Sequence, residues 1–149
     1  MASKATFELT TSQQQLLNDM PLTFLVGFDD AKRWPITHAI SWIQALDSVT
    51  LRLALTRNSH LVTILSAEKT AGLIFIEDGQ AYHILLSSVA EFEPAVKPNL
   101  HLRFFEGHIE EVRNISFYGA SFTQPEITKT YDPEAAEKLD REVKESLHS

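Results

Sequence analysis

Cysteine is absent from this chain of 149 residues. Disulfide staples, thiolate metal sites and thiol nucleophiles are excluded together. Glycine is scarce: only five are present, and none falls into a GxGxxG or GxxxxGK pattern, so the glycine-rich phosphate loops are missing. Basic residues are the minority, 13 Lys and Arg against 20 Asp and Glu, for a formal charge of −7. That balance argues against a general nucleic-acid binder, whose affinity rests on neutralising phosphates. It leaves room for a local basic pocket that takes one small anion. Long apolar runs are missing too. The run Leu73-Ile74-Phe75-Ile76 falls far short of the roughly 20 residues that cross a bilayer. The opening MASKATFELT lacks the apolar stretch of a secretory signal. The expectation is a cytoplasmic protein with no membrane partner and no nucleic-acid partner.

Two reactive chemistries also lack their patterns. The six histidines, His38, His60, His83, His101, His108 and His148, form no HExxH pair or other close ligand spacing, so no metal site is expected. No serine lies in a GxSxG elbow.

What is present reads as one domain over residues 1–149, with a composition ordinary for a globular protein at 44% hydrophobic. Residues 1–9 read as a loose lead-in. Thr11 or Ser12 caps a short helix that runs to Met20 and stops at Pro21. TFLVGF at 23–28 reads as a buried strand, DDAKRWP at 29–35 as a loop, and ITHAISWI at 36–43 as a further strand. VTLRLALT at 49–56 has the cleanest period of two: Val49, Leu51, Leu53 and Leu55 share one face, and Thr50, Arg52, Ala54 and Thr56 share the other. That second face either meets solvent or lines a cleft. Residues 57–66 fit a strand or a helix. Ser59, immediately before the apolar pattern, favours a helix.

Asp78-Gly79 marks a hairpin between apolar segments 71–76 and 81–92. LHLRFFEGHIEEV at 100–112 reads as a long strand with a bulge at Gly107. Its neighbours Phe104 and Phe105 must face opposite ways, so one of them needs a partner outside the core. The stretch NISFYGASFTQPEITKT is irregular. A C-terminal helix over 132–147 follows, with Asp132 as N-cap, Pro133 at its first position and an apolar stripe of Ala136, Leu139, Val143 and Leu147. Glu134–Lys138 and Asp140–Lys144 have the spacing of supporting ion pairs. Many short strands with few helices suggest a small antiparallel barrel.

Local chemistry points to one anion site. The strand bearing Arg52 leads into Thr56-Arg57-Asn58-Ser59-His60, and a helix starting near Ser59 would offer free N–H groups and its dipole there. Arg57 and Ser59 can add charge and hydrogen bonds. The plainer alternative is an exposed strand end with a capping serine. Trp42 reads more readily as packing than as a ligand platform.

The order FLVGF, WPITHAISWI, TLRLALTRNSHLV, LIFIEDGQAYHI resembles the pyridoxamine 5'-phosphate oxidase-like, FMN-binding split-barrel family. The later IEEVRNISFYGA at 109–120 and KTYDPEAAEKLDREV at 129–143 resemble one bacterial branch of it. The resemblance implies a mainly β fold with flanking helices, a six-stranded antiparallel split β-barrel of the FMN-binding type. It implies a homodimer with FMN at the subunit interface and oxidoreductase chemistry on a small substrate. Other uses of the same fold are a flavin- or haem-binding sensor without turnover, or a dimeric scaffold with an empty cleft. By resemblance, His38, Ala39, Ile40 and Ser41 run beside the flavin ring, mainly through backbone groups. Arg52 and Ala54 lie on the strand below. Ser59 and His60 sit at the phosphate end, with Arg57 and Asn58 beside them. The chain departs from the family in two places. Asn58-Ser59-His60 stands where Arg-Ser-Arg is usual, and His38 stands where the oxidase has an arginine. Fewer permanent charges imply weaker FMN capture.

Overall fold

The computed structural model describes residues 4–149. In chain order the elements are β1 (Ala5–Thr6), α1 (Thr11–Asn18), β2 (Thr23–Asp29), β3 (Trp34–Ile40), β4 (Ile43–Ala45), β5 (Thr50–Thr56), α2 (His60–Glu68), β6 (Ala71–Glu77), β7 (Gln80–Phe92), β8 (Leu102–Asn114) and α3 (Pro133–His148). Every strand pairing is antiparallel, and the order across the sheet is β3-β2-β6-β7-β8-β5-β4, with β1 added to β8. The path holds seven strands rather than six, because the expected strand over 36–43 divides at Ser41-Trp42 into β3 and β4.

That division determines the shape. β3 and β4 occupy opposite edges of the sheet, yet only two residues join them. Two residues reach about 7 Å. The sheet therefore curls until its edges meet across Ser41-Trp42, where Ile43 N–H bonds the Ser41 carbonyl at 2.9 Å and Ala54 N–H bonds the Trp42 carbonyl at 3.0 Å. No ladder joins β3 to β4 among the described residues, so the barrel stays split there.

The inward faces make one core. Leu51, Leu53 and Leu55 of β5 meet Leu25, Leu73, Phe75, Ile84, Leu86 and Phe105 inside the curl. Leu17 of α1 and Leu61, Ile64 and Leu65 of α2 join the same core. The other face of β5 is covered only in part, with Thr56 at its end exposed. Ala54 and Phe104 are buried beneath Val143 and Leu147 of α3, with Leu139 and Trp42 packed alongside. Phe104 thus finds its second partner in the C-terminal helix, while Phe105 serves the core.

Several boundaries differ from the expectations, each for a local reason. Ala5–Thr6 is no loose lead: it pairs with Arg113 and Val112 of β8. Thr10, rather than Thr11 or Ser12, caps α1 in a reciprocal box with Gln13. α1 stops at Asn18, before Met20 turns to φ 55°. Trp34 and Pro35 belong to β3 because Arg33 (φ 62°) closes the turn early. Proline is tolerated there on an edge strand. Gly107 pairs regularly with Leu51; the ladder breaks opposite it at Ser88 (φ 51°) and Val89 of β7, and again where Glu110 of β8 is left over between the pairs Leu85–Glu111 and Leu86–Ile109. The Val89 N–H freed from the ladder bonds the Lys69 carbonyl at 2.9 Å. In α3 the Asp140 carboxylate faces Trp42 and Lys129 instead of Lys144. No helix is long and apolar enough to cross a membrane among the described residues.

Candidate functional site

The split also opens a cleft of about 360 Å³, within the range of small-molecule sites. One wall is the meeting of the edges: His38, Ala39 and Ile40 of β3, then Ser41 and Trp42. The floor is Ala54, Leu55 and Thr56 of β5. Asn58 and Ser59 close one end, and Lys129 arrives from the irregular segment between β8 and α3. Seven of the ten residues expected at a ligand site therefore come together: His38, Ala39, Ile40, Ser41, Ala54, Asn58 and Ser59.

The polar end is built by a helix cap. Ser59 precedes α2 in extended conformation (φ −66°, ψ 134°), and its Oγ accepts from Leu61 N–H. The same Oγ lies 3.2 Å from His38 Nδ1. Residues 21 apart in sequence thus share one hydrogen bond because α2 starts beside β3. The helix N-terminus and the hydroxyl offer donors to an anion.

Three expected residues stand elsewhere. Arg52 lies beneath α3, not in the cleft. Its Nε bonds Glu106 Oε1 at 2.8 Å, Nη1 bonds the carbonyls of Leu147 (3.0 Å) and Ser149 (3.1 Å), and the guanidinium stacks 4.1 Å from the centre of the Phe92 ring. The parity of β5 was read correctly, but the end of α3 covers that position, and its carbonyls need a donor. Arg57 is exposed outside the cleft lining. His60 Nε2 is drawn to Asp29 Oδ2 at 3.0 Å. The Asp29 carboxyl is held below its ordinary range, first by the His60 hydrogen bond and then by the Lys32 amide.

Sequence reasoning missed the opposite end. Trp42 Nε1 donates to Asp140 Oδ1 at 2.8 Å, and Lys129 Nζ stands 3.5 Å from the same oxygen. Trp42 thus packs under α3 and also lines the cleft. The signal for Asp140 was present in the sequence: an acidic residue directly after Leu139, at the border of the α3 stripe. Lys129 had no periodicity to mark it and entered only as the first residue of the 129–143 stretch that carries the resemblance. Lys129 is the sole lysine or arginine among the residues lining the cleft.

The residues present fit a flat, weakly polar ligand with one anionic end. Ile40, Trp42, Ala54 and Leu55 supply apolar surface, and Asn58, Ser59 and His38 supply polar groups. Among the described residues no three His, Asp or Glu side chains converge on a metal position.

No family model and no curated protein matches the sequence. Solved structures do match in fold. A candidate pyridoxamine 5'-phosphate oxidase from Lactobacillus delbrueckii aligns with TM-score 0.62 at 19% identity, over 75% of this chain and 98% of its own. An FMN-binding protein from Syntrophomonas wolfei aligns with TM-score 0.56 at 12% identity, over 71% and 85%. The FAD binding protein from Mycobacterium smegmatis aligns with TM-score 0.51 at 9% identity, over 78% and 99%. The chain has the split-barrel fold of the pyridoxamine 5'-phosphate oxidase-like proteins: a curled antiparallel sheet with flanking helices.

Proposed function

We propose that the cleft binds a flavin, FMN first among them, and that the protein is a homodimeric flavoprotein oxidoreductase acting on a small molecule. One observation carries the reading. The split brings His38–Ser41, Ala54, Asn58 and Ser59 around a single cleft, and these are positions the family resemblance assigns to the cofactor. The flavin-binding neighbours in fold support it. Ser59 and the first N–H groups of α2 would take the phosphate, with His38 beside them. Ile40, Trp42 and Leu55 would exclude water from the ring. The flavin supplies the electron transfer when bound, and the protein binds and orients it. The two arginines expected near the phosphate are engaged or displaced, so FMN affinity should be modest.

A second copy is the partner this reading requires. The outer face of β2, β6 and β7 carries Phe24, Val26 and Phe28, with Ile74 opposite Phe24, Leu85 across Gly72 from Val26 and His83 beside Ile74; Phe24, Phe28 and Leu85 are about two-fifths exposed. Such an apolar row is the kind of surface that an isologous dimer buries. It adjoins the cleft, because Phe24 pairs with Ala39.

FMN titration, followed by quenching of flavin fluorescence, tests the proposal. Saturable uptake is expected, weakened by Ser59→Ala. A protein that takes up no FMN overturns it. The sensor reading is favoured by the lining, which holds one histidine, His38, with Nδ1 facing Ser59 Oγ, and no Asp or Glu. It predicts a bound flavin that NADH and NADPH fail to bleach.

A further inference from the structure

We infer that Lys129 is the ligand-binding cation of the cleft and that it meets the carbonyl-bearing edge of the bound ring system, not the phosphate. This rests on the flavin reading above. The cleft has two polar ends. One is marked by Ser59 Oγ and His38 Nδ1, 3.2 Å apart. The other is marked by Trp42 Nε1, Asp140 and Lys129 Nζ, joined at 2.8 and 3.5 Å. Along the floor, Ala54 N–H bonds the Trp42 carbonyl at 3.0 Å and Ser59 N–H bonds the Thr56 carbonyl at 2.9 Å, so the two ends are spaced by two residues of β5, about 7 Å. A phosphate at the Ser59 end therefore leaves the ring toward the Lys129 end.

Lys129 has donors to spare. Its ammonium carries three N–H groups, and its one ion-pair partner is a carboxylate oxygen that already accepts from Trp42. At 3.5 Å the pair is loose, and the lysine side chain keeps 31% of its surface exposed. Neither a helix nor a strand places Lys129. It lies in the segment between β8 and α3, whose early part is held to the β6–β7 hairpin by Ile115, Ser116 and Phe122. An electron-rich carbonyl edge seated beside Trp42 would accept from this ammonium in a site partly closed to water, where a charged donor is worth most.

The test titrates wild type, Lys129→Met, Lys129→Arg and Asp140→Asn with FMN and with riboflavin, which lacks the phosphate. Lys129→Met should weaken both ligands alike, by about tenfold. Lys129→Arg should retain both. Asp140→Asn keeps an oxygen for Trp42 and releases Lys129, so it should bind at least as tightly as wild type. A loss confined to FMN overturns the inference, because Lys129 would then serve the phosphate. Equal weakening in Lys129→Met and Asp140→Asn also overturns it, since that marks a structural role. Unchanged affinity in Lys129→Met sinks this inference alone. A wild type that takes up neither ligand sinks it together with the flavin reading.

Discussion

Ser59 Oγ serves α2 as its cap and faces His38 in the cleft, so its removal should be felt twice. Ser59→Ala should cost about 1 kcal/mol in urea unfolding, the ordinary value of a serine cap, as well as flavin affinity. Arg52 behaves differently. Its guanidinium holds the last carbonyls of α3 and Glu106, so Arg52→Ala should destabilise the fold by about 1–3 kcal/mol. Flavin affinity of the folded variant should stay unchanged. Weaker binding at full stability would return Arg52 to the site. His83 supplies a pH effect. Burial pushes its pKa below the ordinary value near 6.5, while Glu111 pulls the other way. The folded protein then binds a proton less readily than the unfolded chain. The stability this gives is complete above about pH 6.5 and is lost as pH falls through the lower folded value. The melting temperature should therefore drop more between about pH 7 and pH 5.5 in wild type than in His83→Gln.

At the level of elements, periodicity was readable wherever the two faces of an element met different surroundings. The alternation of β5, the Asp78-Gly79 hairpin with φ 52° and 80°, and the stripe of α3 all appear where the pattern placed them. Ser59 as the cap of α2 was likewise legible, because a cap is set by its own neighbours. What the pattern hid was close approach. A Cβ at Gly27 would lie 2.8 Å from Leu61 Cδ2 and 2.9 Å from Ile64 Cγ2, so this glycine lets α2 sit down on β2. Gly27→Ala should cost about 1–3 kcal/mol by overpacking, read as a shift of the urea midpoint at unchanged slope. A neutral outcome would mean that α2 yields more easily than its buried leucines suggest.

For the whole molecule, the decisive event is the meeting of β3 and β4. It turns an open sheet into a split barrel and makes the seam a cleft. It also leaves the outer face of β2, β6 and β7 uncovered, although α2 and α3 cover other surfaces. Leu85→Lys places a charge in the middle of that face. Light scattering should report a dimer for wild type and a monomer for this variant. A wild-type mass of one chain, or a variant still dimeric, would remove the dimer from the account.

Composition and spacing by themselves excluded thiol chemistry, glycine-rich phosphate loops and a strongly basic surface. They also settled most of the strands, the cap at Ser59 and the C-terminal helix, because these depend on residues a few positions apart. The tertiary structure decided where charge goes. Arg52, Arg57 and His60 were all near Ser59 in sequence, and none of them lines the cleft, while Lys129, some 70 residues away, does. A side chain's partner is set by the surface that folds over it. Arg52 went to the carbonyls at the end of α3 and His60 to Asp29, leaving the cleft to a lysine from a segment with no periodicity to read.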